Sequence, residues 1–284
     1  MSALVETKTS ERPWALSAPP PFPAVAMKVM ELLGHEDVDV RHVVRWLQAD
    51  PVFAGEMLRV ANSALYATMG QIRSVHQATI TLGLDFVKAL AVTVGMRAYV
   101  KSAIKEPILR RCWTHSLACG MLAQEIAAAC FMKSDEAYTA GLLHDLGRLG
   151  LLAAYPVEYA NLLNVAVDYS FDVLECERDL FDVDHCQAGA WLAEQWKLPP
   201  ELVTIAAHHH DHPPAANNQK PDLLTLVRLA CRMADTLDFA VLTARETSTI
   251  EEILEGLPQS AKLRFPKDIE SLKTKVSDRI QALA

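Results

Sequence analysis

Residues 138–155 read YTAGLLHDLGRLGLLAAY. This stretch is rich in Leu, Ala and other helix-compatible residues and is mostly apolar, so it predicts a buried helix, which we place at residues 135–153. In its middle stand His144 and Asp145, two ionisable side chains inside an apolar segment. Burying such groups is costly unless they are paired or bound to a metal ion. The doublet therefore needs partners from elsewhere in the chain.

Helical patterns continue on both sides of this stretch. Apolar residues recur with helical spacing at Val40, Val43, Val44 and Leu47. Asp50-Pro51 and Ser74 with Gln77 are typical of helix starts, and Gly83 of a helix end. Further helices are predicted at 107–130, 156–167, 185–196, 200–210 and 222–241, with two shorter amphipathic stretches at 250–257 and 269–283.

Neither an alternating strand pattern nor an internal repeat is visible, so the fold class is all-α. We divide the helical stack into three segments. Residues 1–106 form an N-terminal helical half, residues 107–241 a second half that carries the candidate site, and residues 242–284 a C-terminal helical appendage.

Composition excludes several classes of protein. The 284 residues are 51% hydrophobic and carry a net charge of −8. The overall negative charge argues against binding to nucleic acid. The apolar run Ala89–Met96 is too short to cross a bilayer, which needs about 20 residues. The six cysteines form no CxxC pair. We interpret them as buried thiols in a reducing compartment, which predicts a cytoplasmic location without membrane contact.

Metal-ligand side chains also fall on the apolar stripes of other predicted helices. Consecutive helical residues point about 100° apart, so the run of three histidines at 208–210 cannot face one site as a whole, and the helical phase favours His209 and then His210. His115 shares a stripe with Cys119, and Asp235 shares one with Cys231. The candidate metal ligands are His115, His144, Asp145, His185, His209, His210 and Asp235.

A simpler interpretation exists for each candidate taken alone. A single histidine on an apolar face is more often a hydrogen-bonded core residue than a ligand, and Asp235 could be a cap or an ion-pair partner. The joint pattern favours one or two bound divalent metal ions. Imidazole and carboxylate together suit iron, manganese, zinc, cobalt or nickel better than magnesium, which prefers oxygen ligands.

The ligand order H…HD…H…HH…D resembles that of the HD superfamily of metal-dependent phosphohydrolases, including the two-metal HD-GYP phosphodiesterases. The first half of the chain narrows the resemblance to the HDOD domain, the HD-related output domain of bacterial signalling proteins. The stretches that carry it are PPPFPAVAMKVMELL (19–33), LQADPVFAGEMLRVANSALY (47–66) and SVHQATITLGLDFVKALAV (74–92). The resemblance extends from about residue 12 to residue 240.

This resemblance implies an HD-superfamily-like helical stack and a bacterial regulatory context. In a two-metal member, His115, His144, Asp145 and Asp235 would hold the main ion, and His185, His209 and His210 the second. Arg148 stands where HD-GYP enzymes usually have lysine; it can clamp phosphate but is a poor proton shuttle. No Gly-Tyr-Pro motif follows the histidine cluster, so hydrolysis of cyclic di-GMP is not supported.

Three functions remain open from the sequence. The first is a regulatory output module with a His/Asp metal site that acts through a signalling protein partner. The alternative is a metal-dependent phosphohydrolase for a phosphate-containing small molecule, a phosphodiester or a phosphomonoester, with Asp145 and Arg148 as catalytic residues. The third is a helical adaptor in which the His/Asp pattern is accidental.

Overall fold

The computed structural model describes residues 14–17, 24, 27–28, 40–63, 71–211, 220–242 and 248–283. These residues contain helices and no strand, which confirms the all-α fold class. The helices are α1 (Val40–Gln48), α2 (Pro51–Ala61), α3 (Val75–Leu82), α4 (Leu84–Val100), α5 (Pro107–Ala129), α6 (Ser134–Leu143), α7 (Leu146–Ala154), α8 (Pro156–Tyr169), α9 (Val173–Phe181), α10 (His185–Gln195), α11 (Pro200–His208), α12 (Leu223–Ala234), α13 (Ile250–Leu254), α14 (Gln259–Arg264) and α15 (Ile269–Leu283).

The predicted helix boundaries in the first half are confirmed. The Asp50 carboxylate accepts the Phe53 N–H at 3.1 Å at the start of α2. The Ser74 hydroxyl accepts the Gln77 N–H at 3.0 Å at the start of α3. Gly83 ends α3 with φ +90°, a backbone conformation that glycine adopts without steric cost. The 19–33 stretch lies mostly outside the described residues.

Helix α5 is the central element of the stack. Residues on all of its sides are buried, among them Leu109, Trp113 and Leu122, and it packs against α6, α12 and α15. The C-terminal helix α15 buries Val276 and Ile280. Helices α13 and α15 confirm the two predicted amphipathic stretches of the tail, whereas the short α14 between them was not predicted. The three-segment division stays a prediction.

The prediction of a single helix at 135–153 is wrong, because the helix is interrupted at His144 and Asp145. Helix α6 ends at Leu143 and α7 begins at Leu146, with Asp145 at φ −98° and ψ 27°. The Gly141 carbonyl, which a continuous helix would use for the N–H of Asp145, accepts Nδ1–H of His144 at 2.6 Å. The doublet therefore sits on a turn between two helices.

A second predicted helix, 222–241, also ends earlier than expected. Helix α12 stops at Ala234, and a wide π-type turn follows at Asp235–Phe239, where Asp238 has φ 69°. Such turns place more residues at a helix end than an α-helical turn would. The change of path brings the Phe239 carbonyl onto His115.

Two glycines let α7 and α10 approach closely. A Cβ atom on Gly147 would lie 1.9 Å from the carbonyl oxygen of His185 and 2.3 Å from the N of Gly189. These are backbone atoms that cannot move aside, so only glycine fits at position 147. This approach places His185, the first residue of α10, beside Asp145.

Within the described residues, every helix is too short or too polar to traverse a lipid bilayer.

Candidate metal centre

A cavity of about 210 Å³ lies where α5, the turn before α7, α10 and α12 meet. Seven of its lining residues carry ionisable or metal-ligating groups that the sequence singled out: His115, His144, Asp145, Arg148, His185, His210 and Asp235. His209, the remaining candidate ligand, is buried beside His144 with 4.9 Å between ring centroids. The structure therefore brings the candidates from separate helices into one region.

Three of the histidines are held in the same tautomer. His115, His144 and His209 each place Nδ1 against a backbone carbonyl, and a carbonyl can only accept, so Nδ1 carries the proton. The acceptors are the carbonyls of Phe239 (3.0 Å), Gly141 (2.6 Å) and Ala206 (3.0 Å). The Nε2 lone pair of each ring is thereby left for another partner. In proteins, such a hydrogen bond from the ring nitrogen that does not bind the metal orients the histidine towards the ion.

His144, Asp145 and His209, which we call the open triad, offer ligand atoms without a partner. Their exposed fractions are 1%, 2% and 4%. Nε2 of His144, Oδ1 of Asp145 and Nε2 of His209 have no hydrogen-bond partner among the described residues. Each of the three residues offers a ligand atom within 4.8 Å of those of the other two, and His209 Nε2 is 3.7 Å from Asp145 Oδ1. Buried polar atoms without partners are rare, and a divalent ion bound between these three would satisfy all of them.

The opposite side of Asp145 is fully paired. We call Arg148, Tyr159, Glu177 and His185 the Arg148 network. Arg148 Nε donates to Asp145 Oδ2 at 2.7 Å, and its two terminal nitrogens reach Tyr159 OH at 3.4 Å and His185 Nε2 at 3.1 Å. Burial alone would favour the neutral acid, but Arg148 and then His185 hold the pKa of the Asp145 carboxyl well below its usual range.

Glu177 completes this network and orients His185. Its Oε2 accepts Nδ1–H of His185 at 2.6 Å and the His185 backbone N–H at 2.8 Å, and its Oε1 accepts from Tyr159 OH. Burial raises the pKa of Glu177, but contact with His185 and Arg148 outweighs it, so the pKa lies below its usual range. His185 Nε2 then faces Nε2 of His210 at 2.9 Å.

Two cysteine thiols meet at His115. Cys119 Sγ lies 3.4 Å and Cys231 Sγ 3.5 Å from Nε2 of His115. A hydrogen bond from Cys119 lowers the pKa of the Cys231 thiol well below its usual range, against the effect of burial. All six cysteines are free, and five of them are buried, with Cys176 partly exposed.

The predicted first-metal set does not converge on one point. Asp235 has a side chain that is 37% exposed, and its Oδ1 lies 3.6 Å from Nδ1 of His115, the nitrogen that already donates to a carbonyl. Among the described residues, Asp235 joins none of the groups whose ligand atoms lie within 4.8 Å of one another. His209 belongs to two such groups, one with His144 and Asp145 and one with His185, Cys186 and His210, so the three histidines of the predicted second-metal set do lie together.

Sequence reasoning missed two residues that position the ligands. Glu177 lies on the unpredicted helix α9, four residues after Val173 and four before the buried Phe181. This is the same signal, an ionisable group on an apolar stripe, that identified the histidines. Arg228 on α12 donates to the carbonyl of His208 at 3.0 and 2.7 Å and so fixes the turn that carries His209.

These features define an all-helical protein with a buried histidine and aspartate cluster able to hold a metal ion. The model of the HDOD domain matches residues 20–212, more than half of the chain. The chain therefore belongs to the HDOD domain family.

Among curated proteins, one from Treponema pallidum (strain Nichols) is 24% identical over 209 residues, which are 73% of this chain and 40% of that protein. The chain thus spans less than half the length of this relative.

Solved structures share the fold. An HDOD domain protein of Geobacter sulfurreducens has a TM-score of 0.74 at 23% identity, covering 93% of this chain and 92% of that one. A candidate phosphohydrolase of Shewanella amazonensis SB2B has a TM-score of 0.73 at 23% identity, covering 96% and 99%. A candidate signal transduction protein of Marinobacter aquaeolei VT8 has a TM-score of 0.71 at 22% identity, covering 94% and 60%. At these identities the likeness shows the fold alone.

Proposed function

We propose that this protein is a regulatory output module of a bacterial signalling system whose open triad binds one divalent metal ion. The ion would be held by Nε2 of His144, Oδ1 of Asp145 and Nε2 of His209. Nitrogen and oxygen ligands together favour iron, manganese, zinc, cobalt or nickel over magnesium. The HDOD family and the Marinobacter neighbour support the regulatory role.

The observation that carries this proposal is the charge of the cavity. Arg148 is the one arginine or lysine among its described lining residues, against the carboxylates of Asp145, Asp172 and Asp235. The formal excess is two negative charges, which one divalent ion neutralises. No positive charge is then left over to attract a phosphate group, because Arg148 is already bound to Asp145, Tyr159 and His185.

The geometry also favours one ion over two. A carboxylate that bridges two ions has to offer one oxygen to each, and Oδ2 of Asp145 is bound to Arg148 at 2.7 Å. His185 and His210, both assigned to a second ion by the family resemblance, are hydrogen-bonded to each other. A two-ion centre would require the Arg148 network to open.

A phosphohydrolase is the second candidate, and one observation favours it. The open triad has three protein ligands, and a metal ion with three protein ligands keeps a position for water, whose pKa it lowers. In that case Asp145 would hold the ion and Arg148 would have to leave Asp145 to clamp the phosphate group. The Shewanella neighbour fits this candidate as well.

Metal analysis combined with a turnover screen separates the two functions. The protein, prepared without a histidine tag under low oxygen and supplied with iron or manganese, would be tested on phosphomonoesters, nucleotides and cyclic dinucleotides. The regulatory proposal expects about one bound ion and no turnover. Turnover that Asp145→Ala abolishes would overturn it in favour of the enzyme.

A regulatory module also needs a signalling protein partner. We propose that it binds through the N-terminal half, residues 1–106, or through the tail after residue 241, and that the complex forms in the cytoplasm, where the six thiols stay reduced. Cross-linking in cells that produce wild type or Asp145→Asn protein tests this. A partner recovered equally with both variants would show that the metal site does not control the interaction.

A further inference from the structure

The thiols of Cys119 and Cys231 lie against the same cluster, and neither the open triad nor the Arg148 network uses them. Cys119 follows His115 by one helical turn on α5, and Cys231 reaches it from α12. Together with His144 from the turn before α7, these residues offer four ligand atoms within 4.8 Å of one another. Three separate elements thus converge on one point.

Burial and hydrogen bonding make this convergence chemically specific. The exposed fractions are 4% for His115, 0% for Cys119, 1% for His144 and 8% for Cys231. Nδ1–H of His115 is bound to the Phe239 carbonyl, so its Nε2 faces both sulfur atoms. Nε2 of His144 has no hydrogen-bond partner among the described residues. His144 therefore leaves hydrogen-bonding capacity unused at a buried position beside the two sulfur atoms.

A divalent ion fits the charge of this group. Binding of the ion to two thiolates and two neutral imidazoles releases two protons from this group of side chains, so the net charge of the buried region does not change. Two thiolates and two imidazoles are the ligand set of tetrahedral zinc sites that have no open position. Thiolate ligands also select zinc or cobalt over manganese and magnesium.

We propose that His115, Cys119, His144 and Cys231 form a second site, the thiol site, for a thiophilic divalent ion such as Zn²⁺. The proposal rests on the proposed function because the two sites share His144. That ring has one Nε2 lone pair, so an ion in the thiol site removes a ligand from the open triad. The identity of the available metal then decides which site is filled. Zinc bound in the thiol site prevents metal binding at the open triad.

Cobalt spectroscopy tests the thiol site directly. Co²⁺ is added to the metal-free, fully reduced full-length protein, and the near-ultraviolet absorption of the cobalt–thiolate bond and the visible bands of tetrahedral Co²⁺ are recorded. We expect both signals at about one equivalent, and their loss when Zn²⁺ displaces the cobalt. The variants Cys119→Ser and Cys231→Ser should each lose half or more of the thiolate absorption, because each removes one of the two cobalt–thiolate bonds.

Cys130→Ser is the matched control. Cys130 is also buried and stands at the C-terminal end of α5, but it is not among the four ligands. This variant should keep the cobalt spectrum. Circular dichroism shows whether each variant is folded. Single serine variants are used because serine keeps the side-chain size, whereas a double alanine variant would leave a cavity.

The outcomes separate this proposal from the previous one. Thiolate absorption that persists in His209→Leu, together with its decrease by half or more in Cys231→Ser, supports the thiol site even if the open triad binds nothing. Bound cobalt that lacks thiolate absorption, is unaffected by the cysteine variants and is lost in His209→Leu overturns the thiol site and leaves the open triad. Failure to bind either Co²⁺ or Zn²⁺ overturns both sites.

Discussion

The two sides of Asp145 differ in a way that burial does not reveal. Towards the Arg148 network, Oδ2 is bound to a guanidinium, and the groups behind it are paired through Glu177. Towards the open triad, Oδ1 has no hydrogen-bond partner among the described residues, and neither has Nε2 of His144 or His209. Asp145 and Arg148 are only 2% and 5% exposed. Pairing, and not burial, distinguishes a structural ion pair from a candidate ligand set.

This difference has an energetic meaning. A buried polar atom without a partner costs about 1–3 kcal/mol, so the metal-free open triad lowers the stability of the fold, and a bound ion would recover that loss. The Arg148 network has the opposite property. Its charges are already compensated, and removing one partner would leave the others buried without compensation.

The largest effect is expected when the ion pair between Arg148 and Asp145 is removed. Arg148→Ala leaves the Asp145 carboxylate buried without its guanidinium, and we expect the free energy of unfolding to fall by about 3–5 kcal/mol in urea denaturation. The matched control is Lys133→Ala, since Lys133 and Glu136 form an ion pair of the same 2.7 Å length and i,i+3 spacing, but at 61% and 50% exposure. That variant should lose no more than about 1 kcal/mol. Equal losses in the two variants would show that the network is not structural.

The second-largest effect is expected when α7 and α10, which carry Arg148 and His185, are forced apart. Gly147→Ala places a methyl group 1.9 Å from the carbonyl oxygen of His185, so α7 and α10 must move apart. We expect a loss of about 1–3 kcal/mol, at the upper end because the clash is with backbone. Gly55→Ala is the control: it lies on α2 with nothing within 4 Å, and should stabilise by roughly 0.5–1 kcal/mol. A thermal midpoint of Gly147→Ala equal to that of wild type would contradict the close approach.

A smaller effect concerns protonation of the open triad in the metal-free protein. Burial first, and then the neighbouring His144, lower the pKa of His209 well below its usual range. The unfolded chain therefore takes up a proton near pH 6.5 that the folded chain does not, and stability falls as the pH drops below that value, by about 1.4 kcal/mol per unit for one proton.

Urea denaturation between pH 7.5 and 5 in the presence of a chelator measures this slope. In His209→Leu the slope should be smaller by about one proton, because the group that titrates differently between the two states is gone. Parallel slopes in wild type and His209→Leu would show that His209 is not held neutral in the fold.

The sequence predicted the residue types of the site better than their arrangement. Ionisable groups on apolar stripes identified His115, His185 and His209, since inward stripes of a helical stack have to meet. The break at His144-Asp145 was missed because the flanking residues are mostly apolar and helix-compatible, while the turn depends on hydrogen bonds of the folded chain.

Tertiary contacts also decided the remaining differences. The π-type turn at Asp235–Phe239 sets Asp235 against Nδ1 of His115, and its path is not encoded in the periodicity of α12. Glu177 also lies on an apolar stripe, but its helix α9 is short and polar and was not recognised from the sequence. Cys119 and Cys231 were correctly predicted to be buried, yet their meeting at one imidazole requires the packing of α5 on α12.

The most direct measurement is elemental analysis of protein purified without a histidine tag under low oxygen, beside the double variant His144→Ala/Asp145→Ala. We expect about one equivalent of a transition metal ion in the wild type and its loss in the variant, since His144 belongs to both candidate sites. No bound metal in the wild type, even after reconstitution with iron, manganese and zinc, would contradict both proposed metal sites.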